Sequence, residues 1–448
     1  MIIKKSLSFN GNARTIKAKK NILLSGILKV ADTFVLLLLV PLTLGYVNPY
    51  EYGIWITLNS ILTWIDSFDV GLGNGLRNKL TEALVENNTV SARKYVSTTF
   101  FMLIFIVVIL CGVGVIAITN INWYILLNVN LKYVDNLNQI ILVSFLLFSL
   151  NFVLKFVGNV YQALQLPSAM YVMNFVGHLL SLIVIYILTL TTSSNLFLIA
   201  IVYSAAPPLV YALAYPVTFY KLYVHLAPSI KYFDVKCVKT LFNLSVLFFV
   251  LQMASLILFS LSTLLISNMF GPKEVTPYNI VQRYFGVIPM LTNIIIAPMW
   301  SAATDAYVRG DIEWIKRSNK TINYLLMIAL GIMTIMILLS SVIYGIWIGN
   351  KVEIPLSITV LMAIYNFIIM WSQAYSYFLN GMGKLKLQAI NTVIVAFCFY
   401  PLCRYLGREF LVPGILIGMC IVNLSGAIIN TIQFNLVVSK KAHGIWNK

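Results

Sequence analysis

The chain has 448 residues, of which 60% are hydrophobic and only 10% are charged, and its mean hydropathy is +0.88. This composition excludes a soluble globular protein and indicates a polytopic membrane protein, because each span needs about 20 apolar residues. The net charge of +17 is explained by basic residues collecting on the cytoplasmic side, so no nucleic-acid partner is expected. The five cysteines include no C-x-x-C pair, so we expect neither a metal site nor a disulfide.

Twelve apolar segments predict an all-α integral membrane protein with about twelve transmembrane helices. They fall into two groups of six, which predicts an N-terminal lobe at residues 1–230 and a C-terminal lobe at 231–448. The basic segment 221–239 is the expected linker between the lobes. The predicted spans are residues 21–45, 52–68, 95–119, 138–160, 170–190, 195–221, 238–270, 278–302, 321–348, 354–378, 386–403 and 411–437.

A short repeat relates the two halves of the chain. Residues 81–85 read T-E-A-L-V, and residues 304–308, about 223 positions later, read T-D-A-Y-V. Each copy follows a polar break between apolar runs, at residues 45–53 and 271–278. A repeat of half the chain length predicts two tandem homologous halves, as in transporters whose halves are related by an axis along the membrane normal.

The distribution of basic residues predicts the orientation. With the N-terminus inside, 23 of the 31 Lys and Arg residues fall on cytoplasmic segments and five on outer loops. Both termini are therefore expected in the cytoplasm. The first apolar run has no small-residue cleavage site and is expected to remain as a span. The remaining three basic residues lie inside predicted spans.

These three basic residues, Lys29, Lys155 and Arg283, are the main candidates for substrate binding. Lys29 shares a helix face with Asp32, and Asn279 shares one with Arg283. Because a charge at the bilayer centre costs about 2.5–3.5 kcal/mol, a lipid-facing position is disfavoured. A cavity with three cations and one anion would suit an anionic headgroup. Alternatively, Lys29 and Asp32 pair with each other in helix packing, and Lys155 and Arg283 extend to the interfaces.

The stretch between the second and third predicted spans is expected to be a cytoplasmic hinge, because three alternate glycines begin at Gly71. A nucleotide-binding loop is disfavoured, since no G-K-[ST] follows and no β-α-β unit is present. His178, alone in the fifth span, is expected to be a hydrogen-bonded core residue. We expect carboxylates and cations around the glycines to pair in a cytoplasmic gate. The candidate gate residues are Asp66, Asp69, Arg77 and Lys79.

Three stretches carry a family resemblance. D-V-G-L-G-N-G-L-R-N-K-L-T-E-A from Asp69, T-D-A from Thr304 and N-G-M-G-K-L-K-L-Q from Asn380 resemble the Wzx-type O-antigen and polysaccharide-unit flippases. These belong to the superfamily of multidrug and toxin extrusion antiporters and lipid II flippases. The resemblance covers the whole chain in length, span number and two-lobe order. It implies two six-helix lobes forming a V around a central cavity, and transport by alternating access.

The resemblance also implies a substrate. It would be an undecaprenyl-diphosphate-linked oligosaccharide, moved from the inner to the outer leaflet of the bacterial inner membrane. We therefore expect a flippase for O-antigen, capsule or exopolysaccharide units, with no enzyme activity and no cofactor. Whether a coupling ion, Na⁺ or H⁺, binds near Asp32 stays open. The alternatives are a cation-coupled drug antiporter of the same fold, a membrane component of polysaccharide polymerisation and a scaffold. A polysaccharide polymerase and a chain-length regulator are further candidate partners.

Overall fold

Apolar helices make up nearly the whole described chain, as the composition predicts. The computed structural model describes residues 13–69, 71–164, 166–243, 261–296 and 299–447, and no strand occurs in these ranges. The all-α class is thus confirmed. The first nine α-helices longer than four residues are α1 Ala13–Tyr46, α2 Pro49–Leu62, α3 Leu72–Val85, α4 Thr89–Asn120, α5 Leu137–Leu154, α6 Phe156–Ala163, α7 Pro167–Thr191, α8 Leu196–Pro216 and α9 Val235–Asn243. The later helices are α10 Leu261–Phe270, α11 Pro272–Ile296, α12 Met299–Val308, α13 Ile312–Ile348, α14 Leu356–Gly381 and α15 Lys386–Val438.

The chain divides into two compact units. Residues 1–48 and 58–250 form the first unit, and residues 49–57 and 251–448 form the second. The linker 221–239 belongs to the first unit, whereas the first nine residues of α2 belong to the second. The lobe boundary at residue 230 stays a prediction.

Eight helices within the described residues are long and apolar enough to cross a membrane. One of them, α15, contains a backbone break at Leu411, where φ is 56° and ψ is −143°. This break separates the predicted spans 386–403 and 411–437. Most of the predicted span 238–270 lies outside the described residues, and the total of twelve spans stays a prediction. Helices such as α4 expose large apolar side chains, which suits a lipid environment.

The second predicted span differs from the expectation. It ends in a 3₁₀ helix, Thr63–Asp69, and the presumed cytoplasmic hinge is mostly the helix α3. Gly71, with φ of 74°, makes the turn between them. A Cβ on Gly75 would lie 3.1 Å from the carbonyl oxygen of Leu241. Gly71 is therefore needed for its backbone angle, while Gly75 is needed for close packing against α9.

The two copies of the short repeat adopt the same local structure. Each copy ends a helix, at Val85 in α3 and at Val308 in α12. Each is followed by a capped helix: the side chain of Asn88 accepts a hydrogen bond from an N–H of α4, and that of Asp311 does the same for α13. Such caps satisfy N–H groups that have no partner within the helix. The repeat thus encodes a helix end followed by a helix start in both halves.

The linker 221–239 lies against the start of α4. The ammonium of Lys94 contacts the Asp234 carboxylate at 3.0 Å, and the guanidinium of Arg93 lies 4.4 Å from the centre of the Tyr232 ring. The backbone N–H of Asp234 donates to Thr98 Oγ1. These polar contacts hold the linker on the first unit, at the predicted cytoplasmic end of α4.

Candidate functional site

Asp32 and His178 form the central polar contact of the first unit. His178 Nδ1 lies 2.6 Å from Asp32 Oδ1. Both residues sit about 20 Å from the C-terminal ends of α1 and α7, at 1.5 Å per residue. They are thus far from either end of membrane-crossing helices. The partner of Asp32 is therefore His178 rather than Lys29. His178, expected to be a hydrogen-bonded core residue, has its partner on another helix.

A second contact extends this polar cluster. Tyr211 on α8 donates a 2.7 Å hydrogen bond to Asn174 Oδ1, and Asn174 lies one turn before His178 on α7. The tyrosine hydroxyl is within electrostatic reach of both Asp32 and Asp66. Sequence reasoning did not identify Asn174 or Tyr211. The i, i+4 spacing of Asn174 and His178 on an apolar helix was the available signal.

Lys155 has an acidic partner within the first unit. Its Nζ lies 2.6 Å from Asp66 Oδ1. Lys155 occupies the turn between α5 and α6, and Asp66 lies on the 3₁₀ helix that ends the second predicted span. Two breaks in helical geometry thus bring these charges together. Lys155 is held by this ion pair instead of extending alone to the interface.

The candidate gate residues have other partners than the sequence suggested, and their role in a gate stays a prediction. Within the described residues Asp69 forms no ion pair; its carboxylate accepts hydrogen bonds from the backbone N–H groups of Gly71 at 2.9 Å and Gly73 at 3.3 Å. It therefore caps the start of α3. Lys79 pairs with Glu82 at 2.7 Å, three residues along the same helix, and Arg77 is exposed. The local helix explains these partners, because a loop would not bring Lys79 and Glu82 onto one face.

Lys29 is a predicted site residue of the first unit that has kept no acidic partner among the described residues. It lies one turn from Asp32 on α1 and is half-buried. Within the described residues its ammonium forms no ion pair. Asp32 contacts His178 instead, so Lys29 is a cation without an acidic partner among the described residues, on a helix long and apolar enough to cross the membrane.

Arg283 and Asn279 lie together in the second unit, as their spacing predicts. Arg283 Nε donates to Asn279 Oδ1 at 3.1 Å. The same oxygen accepts a 3.1 Å hydrogen bond from the hydroxyl of Tyr52, which is on the part of α2 that belongs to this unit. Asn279 thus orients the guanidinium, and Tyr52 is a contact that the sequence did not suggest.

Within the described ranges no three His, Cys, Asp or Glu side chains are close enough to hold a metal ion. Whether a coupling ion is used stays a prediction.

Curated proteins with similar sequences are named as O-antigen transport proteins. A provisionally named O-antigen transporter of Salmonella typhimurium is 22% identical over 395 residues, which cover 83% of this chain and 85% of the relative. A protein of the same name from Salmonella typhi is 20% identical and covers 87% of this chain and 89% of its own length. Both relatives are transporters by name, in agreement with the expectation of a transporter rather than an enzyme.

Solved structures show the same fold. A multidrug-resistance MATE family transporter in an inward-facing conformation has a TM-score of 0.74 at 12% identity, over 93% of this chain and 95% of that one. A transporter of the MOP superfamily from Pyrococcus furiosus has a TM-score of 0.61 at 14% identity, over 96% and 97%. At such low identity these similarities establish the fold alone, which is that of a MATE-like membrane transporter.

A family model described as polysaccharide biosynthesis protein matches residues 18–303. This range covers well over half of the chain and includes most of the polar residues discussed above. Together with the relatives and the fold, it confirms the predicted resemblance. The chain is a multi-pass membrane protein that belongs to the polysaccharide biosynthesis protein family.

Proposed function

We propose that the protein is a flippase for undecaprenyl-diphosphate-linked oligosaccharide. It would move a repeat unit of O-antigen, capsule or exopolysaccharide from the inner to the outer leaflet by alternating access. Family membership and the names of the Salmonella relatives support a glycan-linked cargo, and the MATE-like fold supports a transporter. The observation that carries the choice of an anionic cargo is Lys29, a membrane-embedded cation with no ion pair within the described residues.

An embedded cation favours a negatively charged ligand. A lysine at the centre of a helix in the bilayer costs about 2.5–3.5 kcal/mol, and an anion bound beside it offsets that cost. The diphosphate of a lipid-linked sugar supplies such an anion. Within the first unit, Lys29 would act on it as a point charge. Lys155 would join Lys29 only when its contact with Asp66 opens.

The membrane potential is sufficient to drive this transport outward. A diphosphate diester carries about two negative charges, and each contributes about 2.3 kcal/mol per 100 mV of inside-negative potential. Export therefore needs no coupling ion in principle. We expect flipping in liposomes to slow when an ionophore collapses the potential.

The test is transport by the purified protein in liposomes. A labelled undecaprenyl-diphosphate oligosaccharide is loaded, and its appearance in the opposite leaflet is followed for wild type, Lys29→Met and Lys132→Met. Lys132 is the matched control, because it is an exposed lysine in a predicted outer loop. We expect the flipping rate to fall at least about tenfold for Lys29→Met alone, because a loss of about 1.4 kcal/mol in binding free energy corresponds to a factor of ten. Equal rates for all three proteins would remove Lys29 from the mechanism, and an inactive wild type would contradict the function.

The Asp32–His178 contact favours one alternative, transport coupled to H⁺ or Na⁺. A cation-coupled antiporter of the same fold would use an acidic residue such as Asp32 to bind its coupling ion. The uncoupled mechanism predicts that Asp32→Asn retains flipping under an imposed potential. Flipping that requires a pH or Na⁺ gradient and is abolished by Asp32→Asn would establish coupling instead.

We further propose that the protein resides in the bacterial inner membrane with both termini in the cytoplasm. The distribution of basic residues supports this orientation. Cys237 in the linker 221–239 offers a test, since the orientation predicts labelling by a membrane-impermeant thiol reagent in inverted vesicles but not in intact cells. A polysaccharide polymerase and a chain-length regulator are proposed partners because they would act on the same lipid-linked unit.

A further inference from the structure

The second unit contains a polar cavity of about 150 Å³ between α14 and the two halves of α15. None of the described residues that line it is charged. Hydroxyl and amide groups dominate, and they come from three helical segments. The polar lining residues used below are Ser372, Ser376, Gln388, Asn391, Asn423 and Asn430.

Hydrogen bonds fix the orientation of several of these groups. Ser376 Oγ donates to Gln388 Oε1 at 2.7 Å, and Asn430 Nδ2 donates to Ser372 Oγ at 3.1 Å. The buried Nε2 of Gln388 has no partner within the described part of the chain. An amide N–H without a partner in the membrane is costly, so this group indicates a site for a hydrogen-bond acceptor.

The chemistry of the lining selects the kind of ligand. The cavity offers no carboxylate to balance a cation and no cation to balance a phosphate. Its amides and hydroxyls can each both donate and accept hydrogen bonds, which matches a ligand rich in hydroxyl groups. The volume is about ten times the 10–15 Å³ that one water molecule needs, so the cavity can hold a ligand larger than water.

We propose that this cavity binds a neutral sugar residue of the transported glycan. The proposal rests on the flippase function and adds to it a subsite for the sugar. Gln388 is two residues from the start of α15 and Ser376 is five from the end of α14. The cavity therefore begins within about 8 Å of the predicted cytoplasmic ends of these helices, on the side where the glycan is loaded.

Gly426 provides a variant that fills the cavity while preserving the helix. A Cβ at this position would lie 3.4 Å from Ser372 Oγ and 3.5 Å from Asn391 Nδ2, which are ordinary contacts. The additional atoms of Gly426→Leu would occupy the cavity. Gly331→Leu is the matched control, because Gly331 is exposed on α13 of the same unit and a Cβ there meets nothing within 4 Å.

The test compares two ligands that share a lipid diphosphate. Thermal unfolding in detergent is measured with undecaprenyl diphosphate alone and with the same lipid carrying a neutral hexose oligosaccharide. We expect the glycosylated lipid to raise the Tm of wild type and Gly331→Leu more than the bare lipid does. Gly426→Leu should respond equally to both, and its flipping of the glycosylated lipid should fall at least about tenfold.

Two results would overturn the inference: equal stabilisation of wild type by the two ligands, or an unchanged preference in Gly426→Leu. If Gly426→Leu does not fold, Gln388→Leu removes the unpartnered donor at similar size and should weaken binding of the glycosylated lipid alone by about tenfold. The outcome is separable from the flippase function. A wild type that flips the lipid without preferring its sugar keeps the function and rejects only this subsite.

Discussion

The ion pair between Asp66 and Lys155 can be removed one charge at a time, and the geometry predicts the cost of each step. The two charged atoms are 2.6 Å apart, with 24% of the Lys155 side chain and 41% of the Asp66 side chain exposed. Breaking a buried pair costs about 3–5 kcal/mol, and an exposed pair is worth about 0–1 kcal/mol. We therefore expect Lys155→Met to cost about 2 kcal/mol. This corresponds to a fall in Tm of about 4–8 °C for a unit of this size.

Removing the Asp66 charge provides an independent test of the ion pair. Asp66→Asn alone should cost a similar amount, because it leaves Lys155 unpaired among apolar helices. The double variant leaves no unpaired charge, so its Tm should return to within about 2 °C of wild type. Thermal unfolding of the purified protein in one detergent measures all four proteins. Glu313→Gln is the control, since it breaks an exposed pair with Lys316 and should shift the Tm by no more than about 2 °C. Additive losses in the double variant would refute the reasoning.

The same set of variants separates stability from transport at Lys155. If Lys155 binds the cargo diphosphate, the double variant recovers its Tm but flips slowly. If Lys155 serves only to hold the 3₁₀ helix, stability and flipping recover together. Flipping in liposomes, measured on the stable double variant, distinguishes the two roles.

Three other predictions test local contacts. In Gly53→Ala the new methyl would overlap the backbone carbonyl of the first residue of α11 and should destabilise the second unit by about 1–3 kcal/mol. Gly26→Ala, on the open face of α1, should instead be neutral or stabilising by up to about 1 kcal/mol. Thermal unfolding of the two variants measures the difference. His178→Phe leaves Asp32 unpaired and should lower the Tm, with most of the loss relieved by Asp32→Asn; a loss unchanged by that second substitution would contradict the pairing. A hydrogen bond from Lys94 lowers the pKa of Asp234. The contact of the linker 221–239 with α4 should therefore be stable above the ordinary pKa of 3.8 and be lost as the pH falls below it. Amide exchange, compared with the intrinsic rate of an unfolded chain at the same pH, should show reduced protection of the linker at acid pH, and Asp234→Asn should show reduced protection at every pH.

The sequence identified the polar residues in the spans but assigned several partners incorrectly. Lys29, Asp32 and Lys155 stand out because charges are rare among apolar residues. Their partners depend on how each helix is rotated and on where it breaks. His178 reaches Asp32 from a helix that is distant in sequence, and no local pattern relates the two. Spacing therefore succeeded only within single helices, as for Asn279 and Arg283.

Helix breaks were the other feature that hydropathy could not reveal. The 3₁₀ helix Thr63–Asp69 and the turn at Lys155 both lie next to apolar runs that continue in sequence. A window that averages hydropathy does not detect a change of backbone geometry in such a run. Gly71 indicated a turn after the second predicted span, but it did not indicate that the following residues form a helix, which packs closely against α6 and α9.

The two units share a local helical plan at the short repeat, whereas their polar groups differ, and this difference has a testable consequence. The first unit contains Lys29, Lys155, Asp32 and Asp66 in its predicted spans, whereas the second unit contains Arg283 and a cavity lined mainly by neutral amides and hydroxyls. In the proposed mechanism Lys29 would act on the diphosphate, which every lipid-linked glycan shares. The amides of the cavity would act on hydroxyl groups, whose arrangement differs between sugars. Substitutions at Lys29 should therefore slow all cargoes by a similar factor, while substitutions around Gly426 should change the order of preference among glycans. A loss of preference caused by Lys29→Met would contradict this division of roles.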